Sequence, residues 1–215
     1  MQEISLLQQI TRLGQGFLLN LAFLPFVLFI GVVLGMLIAL ARFHKIPVLS
    51  QFLFIVVEIV RGSPFLLIVY AVFFILPYIG IEFDAFTTGV IVLSITAVSY
   101  LSEIFRSGLL SIDKGQFESA DALGLSYVQK LRLIILPQVI KMTIPSIIGQ
   151  IVMTIKDTSI ISLVGYAEVL RTSRQVMQLT LEPFTAFAIA SGYFVLVCYP
   201  LILISKRLER RTKQA

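Results

Sequence analysis

The chain has 215 residues, 58% of them hydrophobic and 13% charged, with a mean hydropathy of +0.97. That balance is too apolar for a soluble domain and describes a polytopic membrane protein of one domain, residues 1–215. The net charge of +5 does not mark a nucleic-acid binder, because the basic residues are spread over short loops and form no patch.

Residues 1–15 carry Glu3 and lack a basic start, so they do not read as a cleaved signal peptide. They are expected to lie amphipathically at the outer surface and to lead into an uncleaved first span. Five apolar segments, 18–41, 51–78, 85–105, 144–164 and 184–205, are long enough to span a membrane. Crossing about 30 Å of hydrocarbon takes roughly 20 residues. The first holds Gly31-x-x-x-Gly35, a spacing that lets helices approach closely and is common in membrane helices. His44 follows in a basic loop with no neighbouring Cys or carboxylate, and reads as a solvated residue rather than a ligand or base. The second segment contains Glu58, Arg61 and a Gly62-Ser63-Pro64 break. Its first part is expected at the interface, with the span proper over 64–79. Cys198 falls in the fifth span, where it reads as a small packing residue.

Five spans put the termini on opposite sides. One side collects Arg42, Lys45, Arg106, Lys114, Lys130, Arg132, Lys141 and the tail Lys206, Arg207, Arg210, Arg211 and Lys213; the other has Arg12, Arg171 and Arg174. The positive-inside rule then predicts the N-terminus outside and the C-terminus in the cytoplasm. No internal repeat is visible, which disfavours a secondary transporter built from duplicated halves.

Between the third and fourth spans lies a polar stretch, about 107–141, too short for a domain but long enough for two short helices. Gly124 suits the left-handed residue that ends the first. Ser126 and Gln129 have the spacing of a capping box at the start of the second. Pro137 interrupts that helix and can begin the next. Such an elbow at the membrane surface is a lever for a partner to push.

No catalytic constellation is present, and no Gly-x-x-x-x-Gly-Lys-Ser/Thr run exists to cradle ATP, so energy must come from elsewhere. A charge at the bilayer centre costs about 2.5–3.5 kcal/mol on insertion scales and usually faces a cavity or a partner. The fourth span contains Lys156-Asp157-Thr158-Ser159, and helical periodicity places Gln150, Thr154, Asp157 and Ile161 along one stripe. That stripe suits a path for a polar solute; bonding to neighbouring helices is the alternative. Thr96 and Ser99 can line the same path or bond back to their own helix. Glu103 and Arg106 have the spacing to pair on one face, and Arg61 to snorkel beside Pro64.

The run Glu118-Ser119-Ala120-Asp121-Ala122-Leu123-Gly124, followed after nine residues by Ile134-Ile135-Leu136-Pro137, resembles the EAA loop of ABC-importer permeases, with Ser119 where Ala is usual. Gly149-Gln150 with Lys156-Asp157-Thr158-Ser159 is similar to the GNQ…KDTS segment of polar amino-acid permeases. Arg61-Gly62-Ser63-Pro64, Ser99-Tyr100-x-x-Glu103-Ile104-x-Arg106, Lys114-Gly115-Gln116 and Leu208-Glu209-Arg210-Arg211 resemble further motifs of that family, in order along the chain. The resemblance implies an all-α type I ABC importer permease fold with five transmembrane helices in the bacterial inner membrane. It implies that Glu118, Ser119, Ala120, Asp121 and Gly124 couple to a cytoplasmic ATPase, which would hold the ATP and Mg; this chain would hold no cofactor. A second permease chain and an extracytoplasmic substrate-binding protein would complete the assembly. The expected cargo is a polar amino acid, with another small solute such as methionine as the alternative within the class. A passive channel would have no use for the elbow, and an intramembrane hydrolase would need a base inside the spans.

Overall fold

A computed structural model describes the backbone of residues 4–213, with side chains as far as Arg210. The expectations placed on Glu3 and on the Arg211 and Lys213 side chains fall outside the described residues. Helix α1 (Leu6–Leu21) opens with a capping box: Gln8 N–H donates to Ser5 Oγ at 3.3 Å, and Ser5 N–H to Gln8 Oε1 at 3.1 Å. Pro25 sits in the first turn of α2 (Leu24–Phe43) and lacks an amide, and the helix breaks just before it. The first span is therefore longer than expected and interrupted, running from Leu6 to Phe43.

Helix α2 packs most extensively on α5 (Ala85–Leu110). The Gly31/Gly35 pair makes that seam possible. A Cβ at Gly31 would stand 3.0 Å from Leu101 Cδ1, and one at Gly35 3.2 Å from the backbone nitrogen of Ser102. Phe23, Val27, Leu93, Ala97, Leu101 and Phe105 form the centre of the core, and Ile135, Val139 and Ile161 close it from the other side.

The second apolar segment does not form one rod. The turn after α2 carries two positive-φ residues, Lys45 (φ 50°) and Val48 (φ 63°). At Val48 the Leu49 N–H donates to Pro47 O at 2.7 Å, closing a γ-turn of the strained, positive-φ kind. Helix α3 (Leu49–Gly62) then ends at Ser63-Pro64, and the chain bends by 108° into Phe65–Ile79. That second limb is α4 (Phe65–Tyr70), a wide π turn (Ala71–Ile75) and a tight 3-10 turn (Leu76–Ile79). The described residues thus contain four helices able to cross a membrane, and the bent pair makes a fifth when counted as one span. The break falls where the Gly62-Ser63-Pro64 run placed it, because Pro64 supplies no N–H and pushes Ser63 to extended backbone (ψ 139°).

Asp84 starts α5, accepting from Phe86 N–H at 2.8 Å and Thr87 N–H at 3.0 Å. The Thr87 hydroxyl and these amides hold the Asp84 carboxyl below its usual range. After α5 come α6 (Lys114–Ala122) and α7 (Tyr127–Lys130). A π turn (Leu131–Ile135) leads into α8 (Leu136–Asp157), with Pro137 in its first turn. A 3-10 run (Thr158–Val164) extends α8 to Gly165 (φ 93°). Helix α9 (Val169–Thr180) packs across α1, and α10 (Pro183–Lys213) runs along α8. Ser205 Oγ ties α10 to α8 by donating to Pro145 O at 2.8 Å. Large apolar residues face outward, Phe29 at 71% and Leu196 at 70% exposure, as lipid-facing positions require.

Candidate functional site

The elbow is built by its own sequence. Asp113 accepts from Gly115 N–H at 2.7 Å and starts α6. Gly124 at φ 70° ends it in a Schellman motif, with Gly124 N–H on Asp121 O at 2.9 Å and Leu125 N–H on Ala120 O at 3.2 Å. The capping box forms as its spacing predicts, Gln129 N–H on Ser126 Oγ at 3.4 Å and Ser126 N–H on Gln129 Oε1 at 2.9 Å. Asp121 pairs with Lys130 across the bend.

Of the five elbow residues singled out, Ala120 is fully buried as the anchor, while Glu118, Ser119, Asp121 and Gly124 are exposed. Leu123 (75%) and Val128 (68%) stand exposed beside them, giving the outer surface an apolar knob next to a carboxylate. The inner surface is fastened to two spans. Phe117 stacks on Phe43 of α2, and Gln138 of α8 donates to Gln116 Oε1 at 3.1 Å. His44 is exposed, as a solvated residue should be, and also bonds the Tyr127 hydroxyl and meets its ring edge-on. The elbow is thus joined by side-chain contacts to α2, to the turn after it and to α8.

The polar stripe on α8 is only partly assembled into one site. Gln150 and Thr154 are buried and within 3.5 Å of each other. Asp157 is half-buried at the last turn of α8, and its carboxylate has no hydrogen-bond or ion-pair partner among the described residues. Lys156 points outward and is exposed. Thr96 and Ser99 are buried on α5, but each hydroxyl donates to its own helix, to Val92 O at 3.1 Å and Ile95 O at 2.9 Å.

Two polar networks join elements in ways that were not legible from the sequence. Glu103 pairs with Arg106 as the spacing predicts, but it also receives Arg42 of α2 at 2.9 Å, locking α2 to α5. A cavity of about 330 Å³ opens beside it, lined by Arg61, Tyr100, Glu103, Ser107, Thr143 and Ser146. The second network joins α1, the 3-10 run and α9. Asn20, Thr158 and Glu168 are all fully buried. The Asn20 amide donates to Thr158 Oγ1 and to Glu168 Oε2, each at 2.9 Å, and its carbonyl accepts from Val169 N–H at 3.0 Å. Glu168 also caps α9 through Leu170 N–H at 2.9 Å and Arg171 N–H at 2.8 Å. Burial pushes its carboxyl above the usual range, against the pull of these donors. Asn20 and Glu168 lie 148 positions apart, so no local spacing reveals them.

Residues 31–214 match the family described as binding-protein-dependent transport system inner membrane components. The chain is 36% identical to the "Probable glutamine ABC transporter permease protein GlnP" of Bacillus subtilis (strain 168), over 95% of both chains. It is 31% identical to the L-cystine transport system permease protein TcyB of the same organism, covering 84% of this chain and 78% of that one. A solved amino acid ABC transporter, crystallised with histidines, superposes with a TM-score of 0.85 at 26% identity, over 98% of this chain and 100% of that one. The inward-facing MetNI methionine ABC transporter shares the fold, with a TM-score of 0.76 at 18% identity over 93% and 95%.

Proposed function

This chain belongs to the family of binding-protein-dependent transport system inner membrane components, and on that footing we propose how its own residues move an amino acid. It is a multi-pass permease subunit of an amino-acid ABC transporter. A pair of ATPase subunits docks on α6 and α7, with Glu118 and the Leu123/Val128 knob as the contact, and supplies all ATP and Mg chemistry. Closure of the ATPases pushes the elbow, and Phe43, His44 and Gln138 carry the push into α2 and α8. A second permease chain completes the path, and a binding protein delivers the amino acid on the opposite face. The excess of basic residues on the elbow side supports a cytoplasmic elbow and an outer N-terminus, and membership of the family supports a bacterial inner membrane.

The cargo is a neutral polar amino acid. The observation that carries this reading is the Asp157 carboxylate, half-buried and without a hydrogen-bond or ion-pair partner among the described residues, at the end of α8 in line with Thr154 and Gln150. One carboxylate balances one α-ammonium group, and Gln150, an amide rather than a second acid, offers hydrogen bonds to an uncharged polar side chain. Thr96 and Ser99 supply the facing wall of α5 once their helix-bonded hydroxyls turn. In the reconstituted importer, Asp157→Asn is expected to leave assembly and binding-protein-stimulated ATP hydrolysis intact while uptake collapses. Failure to assemble, or uptake at the parental rate, overturns the assignment.

A further inference from the structure

A pocket of about 510 Å³ sits where α2, the strained turn after it and α5 meet, at the elbow end of the molecule. Its charged lining is entirely cationic: Arg42, Lys45 and Arg106, with Ser50 and Gln51 as uncharged polar neighbours. Arg42 and Arg106 share the carboxylate of Glu103, and Glu58, the other acid within electrostatic reach of Arg106, is already paired with Arg61, so the pocket keeps an excess of positive charge. The Lys45 side chain is exposed and makes no ion pair or hydrogen bond among the described residues. The Arg42 side chain is only 5% exposed and lies over the Phe54 ring at 5.4 Å, so at least this cation is held in a defined place.

What borders the pocket identifies the occupant. Helix α3 leaves the pocket nearly perpendicular to the following limb, which places it along the membrane surface if Phe65–Ile79 enters the bilayer. Phe52 (62% exposed), Ile55 (49%) and Ile59 (62%) form an outward apolar stripe at the spacing of one helix face. Val48, 85% exposed, stands on the pocket rim in its strained turn. A cation pocket beside an outward apolar stripe is the pattern of a helix lying in the headgroup layer of an anionic leaflet. A soluble anion would need the charges but would have no use for the stripe.

We propose that the Arg42/Lys45/Arg106 pocket binds the phosphate of an anionic phospholipid, with the acyl chains starting along the Phe52/Ile55/Ile59 face of α3. Arg42 already braces α2 against α5 through Glu103, which Arg106 also pairs within α5, and a headgroup phosphate there neutralises the charge left over. Lys45 reaches the headgroup from the turn that lines the pocket. The inference stands apart from the substrate path and from the identity of the amino acid.

The test uses the full chain purified in detergent, titrated with dioctanoyl phosphatidylglycerol or dioctanoyl phosphatidylcholine and read by native mass spectrometry. Phosphatidylglycerol is expected to bind more tightly than phosphatidylcholine. Lys45→Gln should weaken phosphatidylglycerol binding about fivefold, the worth of one basic residue at an anionic surface. Lys45→Arg should keep parental binding, and Lys141→Gln, an exposed lysine on α8 outside the pocket, should change nothing. An unchanged thermal unfolding midpoint in Lys45→Gln shows that the fold survives. Equal binding of the two lipids, or an equal loss in Lys141→Gln, overturns the proposal. Displacement of phosphatidylglycerol by inorganic phosphate at the same concentration also overturns it, by making the pocket a site for free anions.

Discussion

Gly124 offers a clean test of whether the elbow works as a rigid lever. Its backbone is left-handed at φ 70°, and a Cβ built there meets nothing within 4 Å. Substitution therefore brings no steric clash, and its whole effect is backbone strain. An L-residue forced into that conformation costs about 1–2 kcal/mol. That strain competes with the two bonds that end α6, from Gly124 N–H to Asp121 O and from Leu125 N–H to Ala120 O. An energy of this size shifts the population of a correctly bent elbow by a factor of about 5–30. Gly124→Val should sit at the upper end, because a β-branched side chain resists positive φ most, and Gly124→Asn near the parent, because Asn tolerates it. In proteoliposomes, uptake per ATP hydrolysed should fall in the order parent, Asn, Ala, Val at equal expression. If Asn is as damaging as Val, the position matters for contact with the ATPase and not for backbone geometry. If Val transports like the parent, the elbow is not a rigid lever.

The remaining expectations concern charge, orientation and the buried network. Glu118→Lys should leave the chain inserted but weaken ATPase recruitment, read by co-purification, since the Glu118 side chain is exposed and makes no hydrogen bond or ion pair among the described residues. In a Cys198→Ala background, a cysteine at Glu82 should react with an impermeant thiol reagent from outside and one at Lys114 only after permeabilisation; the reverse pattern overturns the topology. Asn20→Ala should cost about 1–3 kcal/mol of stability, because it strands buried acceptors on Thr158 and Glu168; a parental melting temperature refutes the network's role. Burial raises the Glu168 carboxyl above 4.5, so between that value and the raised one the folded chain keeps a proton that the unfolded chain has released. That stabilisation is complete below pH 4.5 and is lost as pH rises through the folded value, so thermal stability should decline over that window in the parent and stay flatter in Glu168→Gln.

Local features could be read from residues alone because their causes are local. The Schellman turn at Gly124, the Ser126/Gln129 capping box and the bend at Ser63-Pro64 each follow from a residue whose backbone options are few, whatever surrounds it. The hydrophobic spans follow from composition, since hydrocarbon leaves no other place for them. Even here the second segment shows a limit: apolar length marks it as membrane-bound, yet a 108° bend divides it into two limbs that no apolar count separates. Only the packed chain decides which polar groups meet. Asn20, Thr158 and Glu168 come together because α1, the 3-10 run and α9 converge, and Arg42 reaches Glu103 only because Gly31 and Gly35 let α2 lie close against α5. A polar side chain in a helix shows that a partner is needed, while the partner's identity is set by interhelical distances that no spacing along one helix contains.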